Sequence, residues 1–394
     1  MKAKHQIGVG ILGMGSRGTN LGRNFFSKHP DVAIVGICDL SESRLEMARE
    51  TFGNVPASTS IDRFLQFPDL DAVIICSNDA AHAANALAAL AAGKHVYLEK
   101  PMAQTAADCD AIIEAAVRSE RVLMVGLELR FCSLFEDMKR IISSGEIGDI
   151  KIGTVTDNVA VGGQYYYHNA RRRKAYVRSL IMEKGVHSLD ITNWLLEASP
   201  VKVYSSGGLD VFGGDAPNDK RCRTCDDTAA CDYYLDVSNK KHQFKDDLCV
   251  YAEEVDVEDN SMVLIDYDNG AKISYMECHF TPDYSREFTF IGTKGKIYGF
   301  FNNEQQFKIV VTKRGQKGEQ VVYPEQRPGS HGGADTGIIN RFIERVKEGG
   351  SSVTGIWGAR DSVAIAEAAM ESSETGQPVA LAVNATLSLL KAAK

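Results

Sequence analysis

The chain has 394 residues, enough for two hydrophobic cores and too many for one ordinary domain. At 44% hydrophobic and 24% charged residues it has the composition of a globular protein, and a net charge of −8 provides no field to gather a phosphate polyanion. A nucleic-acid partner is therefore not expected, and neither is a membrane span, since no run approaches the ~18 apolar residues that one needs.

In chain order, Met1 to His5 lead straight into the strand-like Ile7–Leu12, so no secretory leader is expected. Arg17–Lys28 reads as a helix, Val32–Cys38 as an apolar strand and Glu42–Thr51 as a helix. Ala72–Cys76 is a short buried strand, and Ala80–Ala92 is an Ala/Leu-rich helix closed by Gly93. The strand His95–Leu98, the helix Ala106–Ser119 and the strand Val122–Val125 complete a β-α-β-α rhythm. Short, continuously apolar strands alternating with helices predict a doubly wound parallel sheet, an α/β Rossmann domain over residues 1–128.

The rhythm then changes. A helix at Phe135–Ser143 precedes a long strand, Ile150–Val161, and a further helix lies near His187–Leu196. Strand patterns dominate afterwards, at Val201–Leu209, Met262–Tyr267, Lys272–His279, Glu287–Ile291, Lys296–Phe301 and Phe307–Thr312. Helices at Thr336–Lys347 and Ala359–Ser373 close the chain. Residues 129–394 therefore read as an α+β domain with a mostly antiparallel open sheet, whose apolar outer face predicts pairing with further copies in a dimer or tetramer. A polar, Cys-rich insertion interrupts it at about 210–249. The chain has nine cysteines; Cys38, Cys76, Cys109 and Cys132 are scattered through apparent strands and helices, which suits reduced thiols in a cytoplasm.

Gly13-Met14-Gly15-Ser16-Arg17-Gly18 spells G-x-G-x-x-G between the first strand and the first helix. The first Gly permits a tight turn, the second lets the backbone approach a diphosphate, and the third lets helix pack on strand. The diphosphate then meets free N–H groups at the positive end of the helix, contributed around Ser16 and Arg17. Asp39 ends the second strand about 20 residues on, where its carboxylate accepts from ribose hydroxyls and repels a 2′-phosphate. NAD is expected, rather than NADP.

Asp71-Ala72-Val73-Ile74-Ile75-Cys76-Ser77-Asn78, with His82 following, resembles the strand whose end lines the nicotinamide pocket in the glucose–fructose oxidoreductase/inositol dehydrogenase (Gfo/Idh/MocA) family. Glu99-Lys100-Pro101 resembles that family's E-K-P signature, and Gly126 with Arg130-Phe131 its junction between domains. Glu183-Lys184-Gly185-Val186-His187-Ser188-Leu189-Asp190 resembles its D-x-G-x-H-x-x-D segment, with Glu183 in place of the usual Asp. The resemblance runs through nearly the whole chain. It implies that Ser77, Asn78, His82, Glu99 and Lys100 lie at the cofactor, and that Lys100, His187 and Glu183 are catalytic. Lys100, at the end of a parallel strand, suits a donor to a substrate oxygen that becomes an alkoxide. His187 titrates in the range that proton transfer near neutral pH requires, and Asp190 suits orienting its ring.

The expected activity is NAD-dependent oxidation of a ring hydroxyl of a sugar, cyclitol or glycoside. Two alternatives use the same residues: glycoside cleavage by transient oxidation and elimination on a retained NAD, and a non-catalytic sensor of NAD or sugar. Arg130, Asp190, His331 and Tyr167 are expected to meet substrate. Arg171-Arg172-Arg173-Lys174 reads as a solvated charge run, or as a grip on an anionic substrate. Cys222-x-x-Cys225-x5-Cys231 with Cys249 has zinc-ligand spacing, with His242 as a rival fourth ligand. The cluster is read either as a structural zinc site or as free thiols.

Overall fold

The computed structural model describes residues 6–160, 162–237, 246–302, 304, 306–349 and 355–382. They form two compact units, one of residues up to Phe135 with Arg327–Ala364, the other of Glu136–Gln326 with the segment from Ile365.

The first unit opens with β1 (Ile7–Leu12), α1 (Ser16–Asn24), β2 (Val32–Cys38), α2 (Glu42–Phe52), β3 (Ala57–Ser58) and α3 (Ile61–Phe64). It continues through β4 (Ala72–Ile75), α4 (His82–Ala91), β5 (His95–Leu98), α5 (Ala106–Ser119) and β6 (Leu123–Val125). The strands lie in the order β3-β2-β1-β4-β5-β6, all parallel, which is the doubly wound dinucleotide-binding topology. Every residue of β1 and β4 is buried, as expected of strands covered on both faces. Ser41 and Thr105 cap α2 and α5 by accepting from the backbone N–H groups of Arg44 and Asp108. Ile338, Ile339, Phe342 and Ile343 belong to the same core as Val9, Phe26, Ile74 and Tyr97. Those four residues sit on a helix from the far end of the chain, so sequence rhythm alone would assign them elsewhere.

In the second unit, α6 (Ser133–Ser143) leads into β7 (Ile150–Val159), α7 (Lys174–Val177), α8 (Val186–Leu196) and β8 (Pro200–Gly208). Then follow β9 (Asn260–Tyr267), β10 (Lys272–Cys278), β11 (Tyr284–Gly292), β12 (Gly295–Asn302), β13 (Phe307–Lys313) and β14 (Gln320–Val322). The chain closes with α9 (Ala334–Glu348), which carries the four core residues just named, α10 (Ile356–Thr375) and β15 (Val379–Ala380). Nine strands make one sheet in the order β14-β13-β12-β11-β7-β10-β9-β8-β15, antiparallel except for β7 with β10. Burial alternates along β9 and β10, so one face is core and the other is open. Tyr204, Met262, Leu264, Ile152 and Ile291 stand exposed, with Tyr204 directly opposite Leu264 and Ile291 opposite Ile152.

Immediately before α8 the chain makes a π-helical turn, Ile181–Gly185, which the helical period did not foretell. The described part of the insertion, residues 210–237 and 246–249, contains no α-helix and only the short 3-10 turn Cys222–Thr224. No helix among the described residues is long and apolar enough to cross a membrane.

Candidate active site

Gly13 follows β1 with φ +96°, and a Cβ there would fall 2.5 Å from the Cys76 carbonyl. A Cβ on Gly18 would fall 1.9 Å from the Gly13 carbonyl oxygen, so this turn closes only with glycine at both places. Gly15 caps α1 and faces open space, leaving the N–H groups of the first turn, from Ser16 and Arg17, accessible to an anion. Asp39 accepts from Met14 N at 2.7 Å and from Ser41 N at 2.9 Å, which fixes its carboxylate beside the glycine turn. Arg44 Nη1 lies 3.8 Å from the same carboxylate. The donor set and the open cradle fit a dinucleotide.

The strand ends beside this turn are braced by buried polar groups. Arg17 donates from Nε to Glu99 Oε1 at 2.8 Å and from Nη2 to Asp335 Oδ1 at 2.8 Å. The other oxygen of Glu99 accepts from Lys100 N at 3.3 Å. Burial pushes the Glu99 carboxyl above its ordinary range, while the Arg17 charge pulls it back. His82 is buried, with Nδ1 2.7 Å from Pro101 O and Nε2 3.2 Å from Ser77 O. It therefore ties the end of β4 to the turn that carries Lys100, and its burial lowers its pKa. Ser77 Oγ accepts from Asn85 at 3.0 Å, and Asn78 Oδ1 caps the turn at Ala81 N at 3.1 Å.

His331 is placed in this network, at 3.0 Å from Asp335 Oδ2 and 3.4 Å from Glu128 Oε1. Its burial opposes protonation, but Glu128 and Asp335 outweigh it and raise the pKa. Arg130 lies close enough to Gly355 that a Cβ there would meet its guanidinium at 3.1 Å. Sequence reading missed Asp335 as a partner of Arg17, because 318 residues separate them.

In the second unit the π turn presents Glu183, whose carboxylate accepts from Arg171 Nε at 2.9 Å. His187, Ser188 and Asp190 follow on the first turns of α8, all buried. Beneath them Asp157 Oδ2 accepts from Ser188 Oγ at 2.8 Å and from Tyr275 OH at 3.0 Å. Glu277 bonds both Tyr275 and His279. A Cβ at Gly185 would meet Glu277 Oε2 at 2.9 Å, so the π turn rests directly on this network.

Three expectations are corrected. Tyr167 has no exposed surface to offer a substrate: its ring stacks on Phe212 at 4.0 Å and its hydroxyl donates to Glu258 O at 2.8 Å. The basic run is solvated only in part, at the exposed Arg173 and Lys174. Arg172 is fully buried, bonded to Glu254, to Cys249 O at 2.8 Å and to Asn218 O at 2.8 Å, and Arg173 also meets Glu254. The zinc expectation for Cys222, Cys225, Cys231 and Cys249 is not met either. All four line one cavity with His168 and none is in a disulfide, and among the described residues no group of three or more His, Cys, Asp or Glu is arranged to hold a metal ion. Order in the insertion comes instead from Arg172, from His168 held by Leu248 O and Tyr233 O, and from Asp247 held by Arg221 and Arg223. His242 lies outside the described residues.

Two family models match the chain: "Oxidoreductase family, NAD-binding Rossmann fold" over residues 7–127, and "Oxidoreductase family, C-terminal alpha/beta domain" over residues 139–381. The oxidoreductase YteT of Bacillus subtilis (strain 168) is 27% identical over 79% of this chain and 81% of its own length. Inositol 2-dehydrogenase of Salmonella typhimurium is 34% identical over 50% of this chain, a stretch spanning 57% of that enzyme. Levoglucosan dehydrogenase, solved with NADH and levoglucosan, shares the fold with a TM-score of 0.75 at 21% identity, covering 96% of this chain and all of that one.

Proposed function

Because the chain belongs to the Gfo/Idh/MocA family of oxidoreductases, we propose that it is an NAD-dependent dehydrogenase that oxidises a ring hydroxyl of a sugar, cyclitol or glycoside. The observation that carries this reading is the anion cradle at Gly13–Gly18 with the fixed Asp39 carboxylate at its side. When bound there, NAD supplies a hydride acceptor. Gly15, Ser16 and Arg17 hold the diphosphate on the first turn of α1, and Asp39 accepts from the ribose hydroxyls. Lys100 donates a hydrogen bond to the substrate oxygen and stabilises its negative charge. His187 accepts the hydroxyl proton, Glu183 orients a neighbouring hydroxyl, and Asp190 steadies the histidine. Arg171 fixes Glu183 rather than gripping an anion, since it already spends its charge on that carboxylate.

The names of the inositol and levoglucosan dehydrogenases support a polyol or sugar substrate, and the absence of a carboxylate-free arginine in the run 171–173 fits a neutral one. Self-association through the open face of the nine-stranded sheet and work in a reducing cytoplasm, where nine free thiols persist, complete the reading.

Lys100→Ala and His187→Ala should each lower turnover by ~10²-fold or more, while leaving NAD+ binding measurable by fluorescence titration. Near wild-type rates in both variants, on a substrate that the unaltered chain oxidises, would remove these two residues from the chemistry.

A further inference from the structure

One group in the second unit has surroundings that neither the fold nor the roles above require. Tyr284 opens β11, half-buried, and its phenol oxygen accepts two cationic hydrogen bonds. Lys184 Nζ donates at 3.4 Å from the π turn, and Arg286 Nε donates at 3.3 Å from two residues along the same strand. The Lys184 ammonium also lies 5.3 Å from the centre of the Tyr284 ring. Lys184 is nearly buried, and no carboxylate of a described residue lies within ion-pair distance of it. A lysine in that position needs a negative partner, and a phenolate is the one at hand.

From β7, Asp157 lies 3.3 Å from Arg286 Nε and opposes ionisation of the phenol. From β12, Phe301 contributes an apolar edge at 6.2 Å. From α8, Ser188 is reached by Arg286 Nη1 at 3.4 Å. Lys184 and Ser188 flank His187 in sequence, one three residues before it and one immediately after. The pair Tyr284 and Arg286 is thus bonded to both sides of the turn that bears the candidate acid–base histidine.

We propose that Lys184, Tyr284 and Arg286 form a second acid–base centre, in which the Tyr284 phenol is the group that gains and loses the proton. Burial alone would raise the pKa of this phenol, but Arg286 and Lys184 outweigh it and bring the value down to about 8. Other buried tyrosines are pushed upward by the same burial, among them Tyr97, Tyr166, Tyr167 and Tyr275. Alcohol oxidation releases one proton with each hydride. Once His187 has accepted that proton, a Tyr284 phenolate can take it on, return to the neutral phenol and lose it again to water. This part in turnover rests on the dehydrogenase reading; the ionisation itself does not.

The test is a spectroscopic pH titration of the full chain, following tyrosinate absorbance in the near ultraviolet. One of the 14 tyrosines should ionise with a midpoint of about 8, ahead of the rest. Tyr284→Phe should remove that phase, and Lys184→Met should move it up towards the ordinary tyrosine value of ~10. Absence of an early phase in the folded chain, or its persistence unchanged in Tyr284→Phe, would overturn the proposal. In turnover, the rate of NADH formation should rise with pH through the same midpoint, and Tyr284→Phe should lose that limb. If the early phase is present and no polyol reduces NAD+, the acid–base centre stands and the dehydrogenase reading fails.

Discussion

Asp39 has a structural role in the glycine turn and, in the proposed function, a second one in recognition. Two backbone N–H groups, from Met14 and Ser41, hold it at the end of β2. Those bonds aim the carboxylate and leave lone pairs for ribose hydroxyls. Exposed Arg44, 3.8 Å away, is held in check by the same charge. Asp39→Asn keeps one acceptor and removes the charge. It should weaken NAD+ binding by roughly tenfold, the cost of a hydrogen bond to a charged group, and narrow the preference over NADP+ as Arg44 is released. Parallel fluorescence titrations with the two dinucleotides measure this; an unchanged ratio of affinities would show that Asp39 does not read the ribose.

The residues that sequence could disclose are those whose role follows from short spacing. The glycines of the turn and Asp39 are recognisable because they lie at the ends of strands whose apolar runs are themselves legible, and Lys100 through the resemblance of Glu99-Lys100-Pro101 to the family signature. Residues defined by distant partners are not. Arg17 meets Asp335 across 318 positions, and Lys184 meets Tyr284 across 100. Nothing local distinguishes Tyr284-Ser285-Arg286 from any alternating strand. Arg172 misleads in the opposite direction: a basic run usually means solvent, yet here Glu254 and two carbonyl groups compensate its burial.

At the scale of elements, strands and helices with clean periodicity emerged near their expected limits, including β5, α5 and β9. The π turn Ile181–Gly185 did not, since one extra residue per turn leaves the apolar pattern of a short segment nearly unaltered. The turn is stabilised from outside, by Glu277 and Tyr275 pressed against Gly185. The open face of the sheet is an element-scale feature with a consequence of its own. Met262 is 60% exposed and Leu264 56%, on alternate residues of β9, with Met276 and Tyr204 opposite them. Such a face favours burial against a second copy. Sedimentation velocity should find the unaltered chain as a dimer or larger, and Met262→Lys with Leu264→Lys should shift it towards monomer. A monomeric unaltered chain at micromolar concentration would contradict this.

For the molecule as a whole, the division into two units is not a division of the sequence. Helix α9 lies beyond the last strand of the nine-stranded sheet except β15, yet its apolar side joins the core of the parallel sheet through Ile338, Ile339, Phe342 and Ile343. Tyr97 and Phe342 meet edge to face at 5.7 Å, which fixes that helix against β5. The same helix delivers Asp335 to Arg17, so the segment that completes the core also braces the dinucleotide turn. In the proposed function this brace serves a redox reaction. Purified chain with NAD+ and a panel of inositols, sugars and glycosides, followed by NADH absorbance together with aglycone release, tests it directly. NADH should accumulate in step with oxidised product for at least one polyol or sugar. Tight NAD+ binding with no NADH formed from any of them, or aglycone released without net NADH, would contradict it.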